Sequence, residues 1–320
     1  MDLRHARTFV TIAELGTVSR AAEHLRIAQP ALSRQIGELE RELGIKLFDR
    51  VGRRLLLTGE GEQLLTDCRA LLNCAMAIGE HARQLQDGDS GVLKLASSPQ
   101  MIEGALAAFS IRYAQRFPKV QVKLTEVMGW AATAAQIESG EVHLGQNLMG
   151  AVPPDDARFA CYPLEAIELL AAFDPSIGID SGRDIEITQL APHPLLVLGT
   201  EYVFRRYLDA ACRLAGIQPT IAYESRTPHT LLAMAQSGHG VAIIPSVLRT
   251  DRYQLQVAAL TYRGDPLRER AAIYWDRRRP LPRYAVAFCD MFSAYMREVF
   301  PISHPTKAGQ TPRRVGGVPG

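Results

Sequence analysis

The chain has 320 residues, 47% apolar and 22% charged, with a formal net charge of +2. That length holds two or three domains with real cores, and so small a charge makes no global case for a polyanion partner; a nucleic-acid reading must rest on local charge. No apolar run reaches membrane-spanning length, MDLRHARTFV lacks a signal-peptide core, and five scattered cysteines without CxxC argue against a disulfide framework or zinc site, so a cytoplasmic protein with no membrane partner and no cofactor is expected.

Residues 1–58 read as short helices followed by a hairpin. Phe9, Val10, Ile12 and Ala13 form an apolar stripe that ends before Gly16. Two helical runs follow, separated by Arg26 to Ala28. Ala21 and Ala22 are small enough for the second run to cross the first closely. In that second run, AQPALSRQIGELERELG, Leu32, Ile36, Leu39 and Leu43 recur at steps of four, three and four on one helix face. Pro30, Arg34, Gly37 and Arg41 lie on the other side, and proline suits a first helical turn, where its missing N–H would be unpaired anyway. KLFDRVGRRLLLT predicts two short strands with arginines at the tip.

One long helix is predicted from Gly59 to Asp87. Leu64, Cys68, Leu71, Ala75, Ile78, Ala82 and Leu85 alternate steps of four and three, a heptad seam that points to pairing with a second copy through Leu64, Leu71, Ile78 and Leu85. DGDSG, at 87–91, breaks the helix. Strands and helices then alternate: VLKLASS, KVQVKLTEV, VHLGQNL, AIELLAAF, PLLVLG, TIAYES, GVAIIP and RERAAIYW are strand-like, with helical segments between and a last helix at YAVAFCDMFSAYMREVF. The alternation predicts an α/β architecture with mostly parallel sheets in two similar halves. The tail from Ser303 is Gly/Pro-rich and expected to be disordered.

The order of these parts resembles that of a LysR-type transcriptional regulator. LRHARTFVTIAELGTVSRAAEHL, AQPALSRQIGELERELGIKLFDR and RRLLLTGEGEQLL are similar to the winged helix-turn-helix signature of that family nearly position by position over about the first 65 residues. YAQRFPKVQVKL, ESGEVHLG and GVAIIP carry a looser likeness through the α/β half. Two departures stand out. Ala28 replaces the Ser or Thr frequent before Gln-Pro, forgoing an N-cap worth about 1 kcal/mol, and His143 replaces a frequent acidic residue.

The resemblance implies a winged helix-turn-helix at 1–58, a linker and dimerisation helix with hinge at 59–91, and a two-lobed, periplasmic-binding-protein-like effector domain at 92–302. Lobe I would comprise 92–163 and 266–300, and lobe II 164–265. A recognition helix enters the major groove front end first, so its leading residues meet base edges. Gln29 suits adenine, Arg34 suits guanine, Pro30 offers apolar contact, and Ser33 reaches a phosphate or base. Arg53 and Arg54 would meet the backbone or minor groove. Residues 1–58 hold ten Lys+Arg against seven Asp+Glu, a local excess of three positive charges.

Ligands in open α/β sheets collect at the carboxyl ends of strands, in a cleft between halves. The loops there nominate Ser97, Ser98, Gln100, Gln146, Thr200, Tyr202 and Ser225 for a small organic effector, such as a carboxylate held by hydroxyls and helix N-termini without an arginine. The implied partners are double-stranded promoter DNA, a small-molecule effector and a second copy of the chain in a dimer or tetramer, with RNA polymerase as a further candidate. The alternatives are a two-lobed solute-binding protein, which would need a signal peptide, or a small-molecule enzyme. No GxSxG, P-loop, GxGxxG or HExxH occurs, and the eight histidines show no metal-ligand spacing.

Overall fold

A computed structural model describes residues 1–51, 54–87, 90–154, 156–179, 182 and 184–300; for Arg50, Val51, Ala77 and 80–87 only the backbone is described. Arg53, the Leu85 side chain and the tail expected to be disordered lie outside the described parts.

Asp2 opens α1 (Leu3–Leu15) by accepting from the N–H groups of Arg4 and His5, and Gly16 closes it in the left-handed conformation. Thr17 caps α2 (Val18–Leu25), Arg26 turns the chain at φ 55°, and α3 (Gln29–Leu43) follows with no side-chain cap at Ala28. β1 (Phe48–Val51) and β2 (Arg54–Leu57) form an antiparallel wing in the register Val51–Arg54. Phe9, Ile12, Leu32, Leu39 and Leu47 are fully buried at the centre of this module, with Phe9 edge-on to Phe48. Each such side chain contributes about 1.5–3 kcal/mol on burial.

α4 (Gly59–Asp87) is one continuous helix, unbroken at Gly79. Thr58 Oγ1 accepts from Gly61 N at 2.9 Å, and a Cβ at Gly61 would lie 2.3 Å from Leu47 O. The glycine therefore lets the helix start against the wing. The apolar surface of α4 is divided: Cys68 is buried in the core of its own module, and Leu64, Leu65 and Leu72 pack half-buried beside it. Leu71 and Ile78 remain 38% and 68% exposed. The heptad seam expected to face a partner is thus partly taken up within the chain at Leu64 and Cys68, because α1 occupies that side of the helix.

Lobe I contains β3 (Gly91–Ser97), β4 (Val120–Glu126) and β5 (Leu144–Leu148), with a helical stretch of α5 (Pro99–Met101), a π turn at Ile102–Leu106 and α6 (Ala107–Arg116) after β3. α7 (Gly129–Ser139) follows β4, and its C-terminal Ser139 O accepts from Asn73 Nδ2 of α4 at 2.8 Å. β6 (Phe159–Phe173) then leaves the lobe. In lobe II, β7 (Asp184–Glu186), β8 (Leu195–Leu198), α8 (Val203–Leu214), β9 (Ile221–Ser225), α9 (Pro228–Gln236), β10 (Val241–Pro245), β11 (Gln256–Tyr262) and β12 (Asp265–Pro266) follow in order. β13 (Arg268–Asp276) returns to lobe I, and α10 (Arg283–Val299) packs Phe288 and Phe292 against Phe109 of α6.

The strand order is β4-β3-β5-β13-β6-β10-β8-β9, with β11 also on β6. β3 is parallel to β4 and β5, and β8 to β9 and β10, as the alternation predicts. The crossing strands depart from it: β13 runs antiparallel to β5 and β6, and β6 antiparallel to β10 and β11. β6 pairs with β13 through Glu168, with β10 from Leu169 and with β11 from Leu170, so one strand serves both lobes.

Candidate functional site

Two separate surfaces carry chemistry. On the first, Leu32 and Leu39 hold α3 into the core while Gln29, Pro30, Ser33 and Arg34 are all exposed on its leading turns. The helix is pinned from behind: Thr8 Oγ1 donates to Gln35 Oε1 at 2.6 Å. At its far end Glu40 Oε1 accepts from Leu47 N at 3.0 Å, and Lys46 pairs with the same carboxylate. Burial opposes the charge on Glu40, but these hydrogen bonds outweigh it and hold the carboxyl below its ordinary range. The acidic end of α3 is therefore a fastening between helix and wing. Leu55 N donates to Gly16 O at 3.1 Å, which ties the wing to the α1–α2 turn. Arg54, at the start of β2, is exposed beside the helix-turn-helix. Ser19 Oγ donates to Gln29 Oε1 at 3.4 Å, a weak contact that directs the Gln29 amide nitrogen outward.

The second surface is a cleft of about 480 Å³ between the lobes. Lobe I lines it from the β3–α5 loop, the start of α7 and the end of β5; lobe II lines it from the β8–α8 loop, Arg226 and the end of β10. Its walls are mainly apolar, with Met101, Val127, Trp130, Leu148 and Phe204 among them. Trp130 is fixed edge-on against Phe159 and Tyr274. Polar contacts cross between the lobes around it. Glu103 Oε2 lies 2.7 Å from His229 Nε2, and Tyr207 OH donates to Glu269. Gly104 sits so near the Val247 carbonyl that a Cβ would come within 1.8 Å of its oxygen. The π turn places that glycine at the contact, a common use of such a turn beside a functional site.

At the mouth, the Glu201 carboxylate accepts from its own backbone N–H and from Arg226 Nε, which lower its pKa. Burial, then the Glu201 charge, pushes the Tyr202 phenol up. Its hydroxyl donates to Arg226 O at 2.8 Å, so the ring is what it offers to the cleft.

A family profile described as "LysR substrate binding domain" matches residues 86–297, and one described as "Bacterial regulatory helix-turn-helix protein, lysR family" matches residues 3–62. The chain belongs to the LysR family. It is similar to the HTH-type transcriptional regulator IlvR of Caulobacter vibrioides, 31% identical over 253 residues, which span 78% of this chain and 84% of that one. It is also similar to BsdA of Bacillus subtilis, 27% identical over 297 residues, or 91% of this chain and 100% of that one. Among solved structures, full-length OxyR from Pseudomonas aeruginosa superposes with TM-score 0.70 at 22% identity, over 93% of this chain and 95% of that one. CbnR, solved in complex with its target DNA, gives TM-score 0.70 at 22% identity over 92% and 100% of the two chains. This protein is a DNA-binding transcriptional regulator with an effector-binding domain, and its relatives are regulators, not enzymes.

In this LysR-type regulator, the cleft brings together Ser98, Gln100, Gln146, Thr200 and Tyr202 of the residues nominated from sequence. Ser98 caps α5, accepting from Met101 N at 3.3 Å. Two of the nominated residues do not line the cleft. Ser97 is fully buried behind it and donates to Gln146 Oε1 at 2.9 Å. Ser225 closes a turn, accepting from Thr227 N at 3.1 Å, because β9 ends one residue before the mouth. The cleft does hold arginines, contrary to expectation: Arg206 on the first turn of α8, and Arg226. The signal for Arg206 was its place in VFRRYLD, just inside a helix start, but two adjacent arginines left its direction open. Arg205 turns away to Leu198 O and Glu224, and Arg206 faces the cleft.

Proposed function

We propose that the regulator reads promoter DNA through Gln29, Pro30, Ser33 and Arg34 in the major groove, with Arg54 and Arg53 on the flanking backbone or minor groove. The observation that carries this reading is the exposure of all four α3 residues on one leading edge, backed by the buried Leu32 and Leu39. A second copy paired through the exposed Leu71 and Ile78 would present two recognition helices to an inverted repeat. A small organic acid in the interlobe cleft is the proposed effector. Its binding would change the angle between lobes that share β6, and Asn73 on Ser139 would carry the change to α4. Contact with RNA polymerase is part of the proposal only as a downstream step.

Selection of DNA by the full chain from a random pool, followed by footprinting, tests the reading. An enriched inverted repeat, protected on two successive major grooves, is the expected result. Enrichment of no sequence, with binding that depends only on salt, would overturn it.

A further inference from the structure

Gln146 is the most deeply buried side-chain amide on the cleft wall, at 4% exposure against 8% for Gln100, and its donors are unused. It stands on β5 opposite Ile273 of β13, and its side chain opens only to the cleft. The fully buried Ser97 on the adjacent β3 donates its hydroxyl proton to Gln146 Oε1. That bond occupies the oxygen and fixes which way the amide is turned. No group among the described residues accepts from Nε2, which therefore presents its N–H bonds to the cavity. The nitrogen is open to the cleft, so an acceptor bound there meets a donor already turned toward it, and a hydrogen bond to a charged acceptor contributes about 1.5–3 kcal/mol.

The remaining polar features agree in sign. α8, twelve residues long, begins at the cleft with no side-chain cap on its free N–H groups. Thr200 is exposed and makes no hydrogen bond within the described residues, and Arg206 lines the same cleft. Arg226 is matched by Glu201, so the mouth has one positive charge in excess. Met101, Trp130, Leu148 and Phe204 supply the apolar part of the lining, against which a ring can lie.

We infer that the effector is a monocarboxylate with an apolar, ring-sized body, and that Ser97 and Gln146 select it as a pair. Gln146 Nε2 donates to the carboxylate; Ser97 never touches the ligand and is a positioning residue that keeps the amide nitrogen forward. This deepens the proposed effector role and rests on the cleft being the effector site.

Phenylacetate is the probe, with phenylacetamide as its neutral isostere, titrated calorimetrically into the full chain. Phenylacetate should bind about tenfold or more tightly than the amide, since a charge-assisted bond is at stake. Gln146→Leu should weaken phenylacetate about tenfold and phenylacetamide less, which shrinks the discrimination. Ser97→Ala should shrink the ratio of the two affinities several-fold while phenylacetamide binds nearly as in the wild type, a change that mere packing loss, which weakens both ligands alike, would not produce. Equal binding of acid and amide by the wild type, no binding of either, or full discrimination by Gln146→Leu would each overturn the inference. Binding of phenylacetate with the expected discrimination but no effect on selected DNA would leave it standing and refute the effector role instead.

Discussion

Gly104→Ala drives a wedge between the lobes. A Cβ on Gly104 would lie 1.8 Å from Val247 O and 2.8 Å from its carbonyl carbon. Both are main-chain atoms, so no side chain can swing aside to make room. Ordinary contact begins at 3.4 Å, and the lobes must therefore separate there by the difference, about 1.6 Å. Overpacking of this kind costs about 1–3 kcal/mol, and the greater helix preference of alanine offsets up to about 1 kcal/mol of it. The expected net loss in urea unfolding of the effector domain is up to about 3 kcal/mol. Because the cleft walls then no longer close on one small molecule, phenylacetate affinity in calorimetry should fall about tenfold or more, as a hydrogen bond to either lobe is lost. A variant with wild-type stability and wild-type affinity would refute the close approach and the coupling of lobe separation to binding.

Glu40→Gln should loosen the wing and cost about 1–3 kcal/mol of module stability, because charged acceptance from Leu47 N and Lys46 is lost. The folded pKa of Glu40 lies below its unfolded value, so its contribution is complete above the ordinary glutamate range and disappears as pH falls through the lowered folded value. Chemical denaturation across acid pH should show that dependence in the wild type, reduced in the variant; the same pH slope in both would contradict it. Leu71→Lys places a charge in the exposed α4 stripe and should convert oligomers to monomers in light scattering while the effector domain stays folded. Arg54→Ala should weaken DNA binding about equally across sequences and reduce the slope of affinity against salt by about one, measured by fluorescence anisotropy.

The helix-turn-helix was readable because its signals are local: a four-three-four apolar step places Leu32 and Leu39 inward and Arg34 outward whatever the rest of the chain does. The wing followed from KLFDRVGRRLLLT in the same way. Strand and helix alternation gave the parallel blocks β4-β3-β5 and β9-β8-β10. It did not give β11, QVAALTY, whose burial is uneven and whose partner β6 lies far away in sequence. Nor did it give the first half of β6, where Pro163 interrupts FACYPLE; antiparallel pairing with β13 makes that stretch a strand. In the cleft, hydroxyls at strand ends were legible because helix starts place them. Arg206 and Arg226 were not, since their directions depend on Arg205 and Glu201. The division of the α4 seam was hidden for a related reason. Periodicity marks an apolar face without saying which neighbour covers it, and α1 takes the side of Cys68.

The central claim is that the leading edge of α3 reads base sequence, and repeating the random-pool selection with Arg34→Ala tests it most directly. Loss of a bidentate contact to guanine should lower affinity for the wild-type motif by about 1–3 kcal/mol and relax the preference at one base pair in each half-site, leaving the other positions intact. Arg34→Ala that enriches the same motif, with the same affinity and the same preference at every position, would contradict the placement of this helix in the major groove.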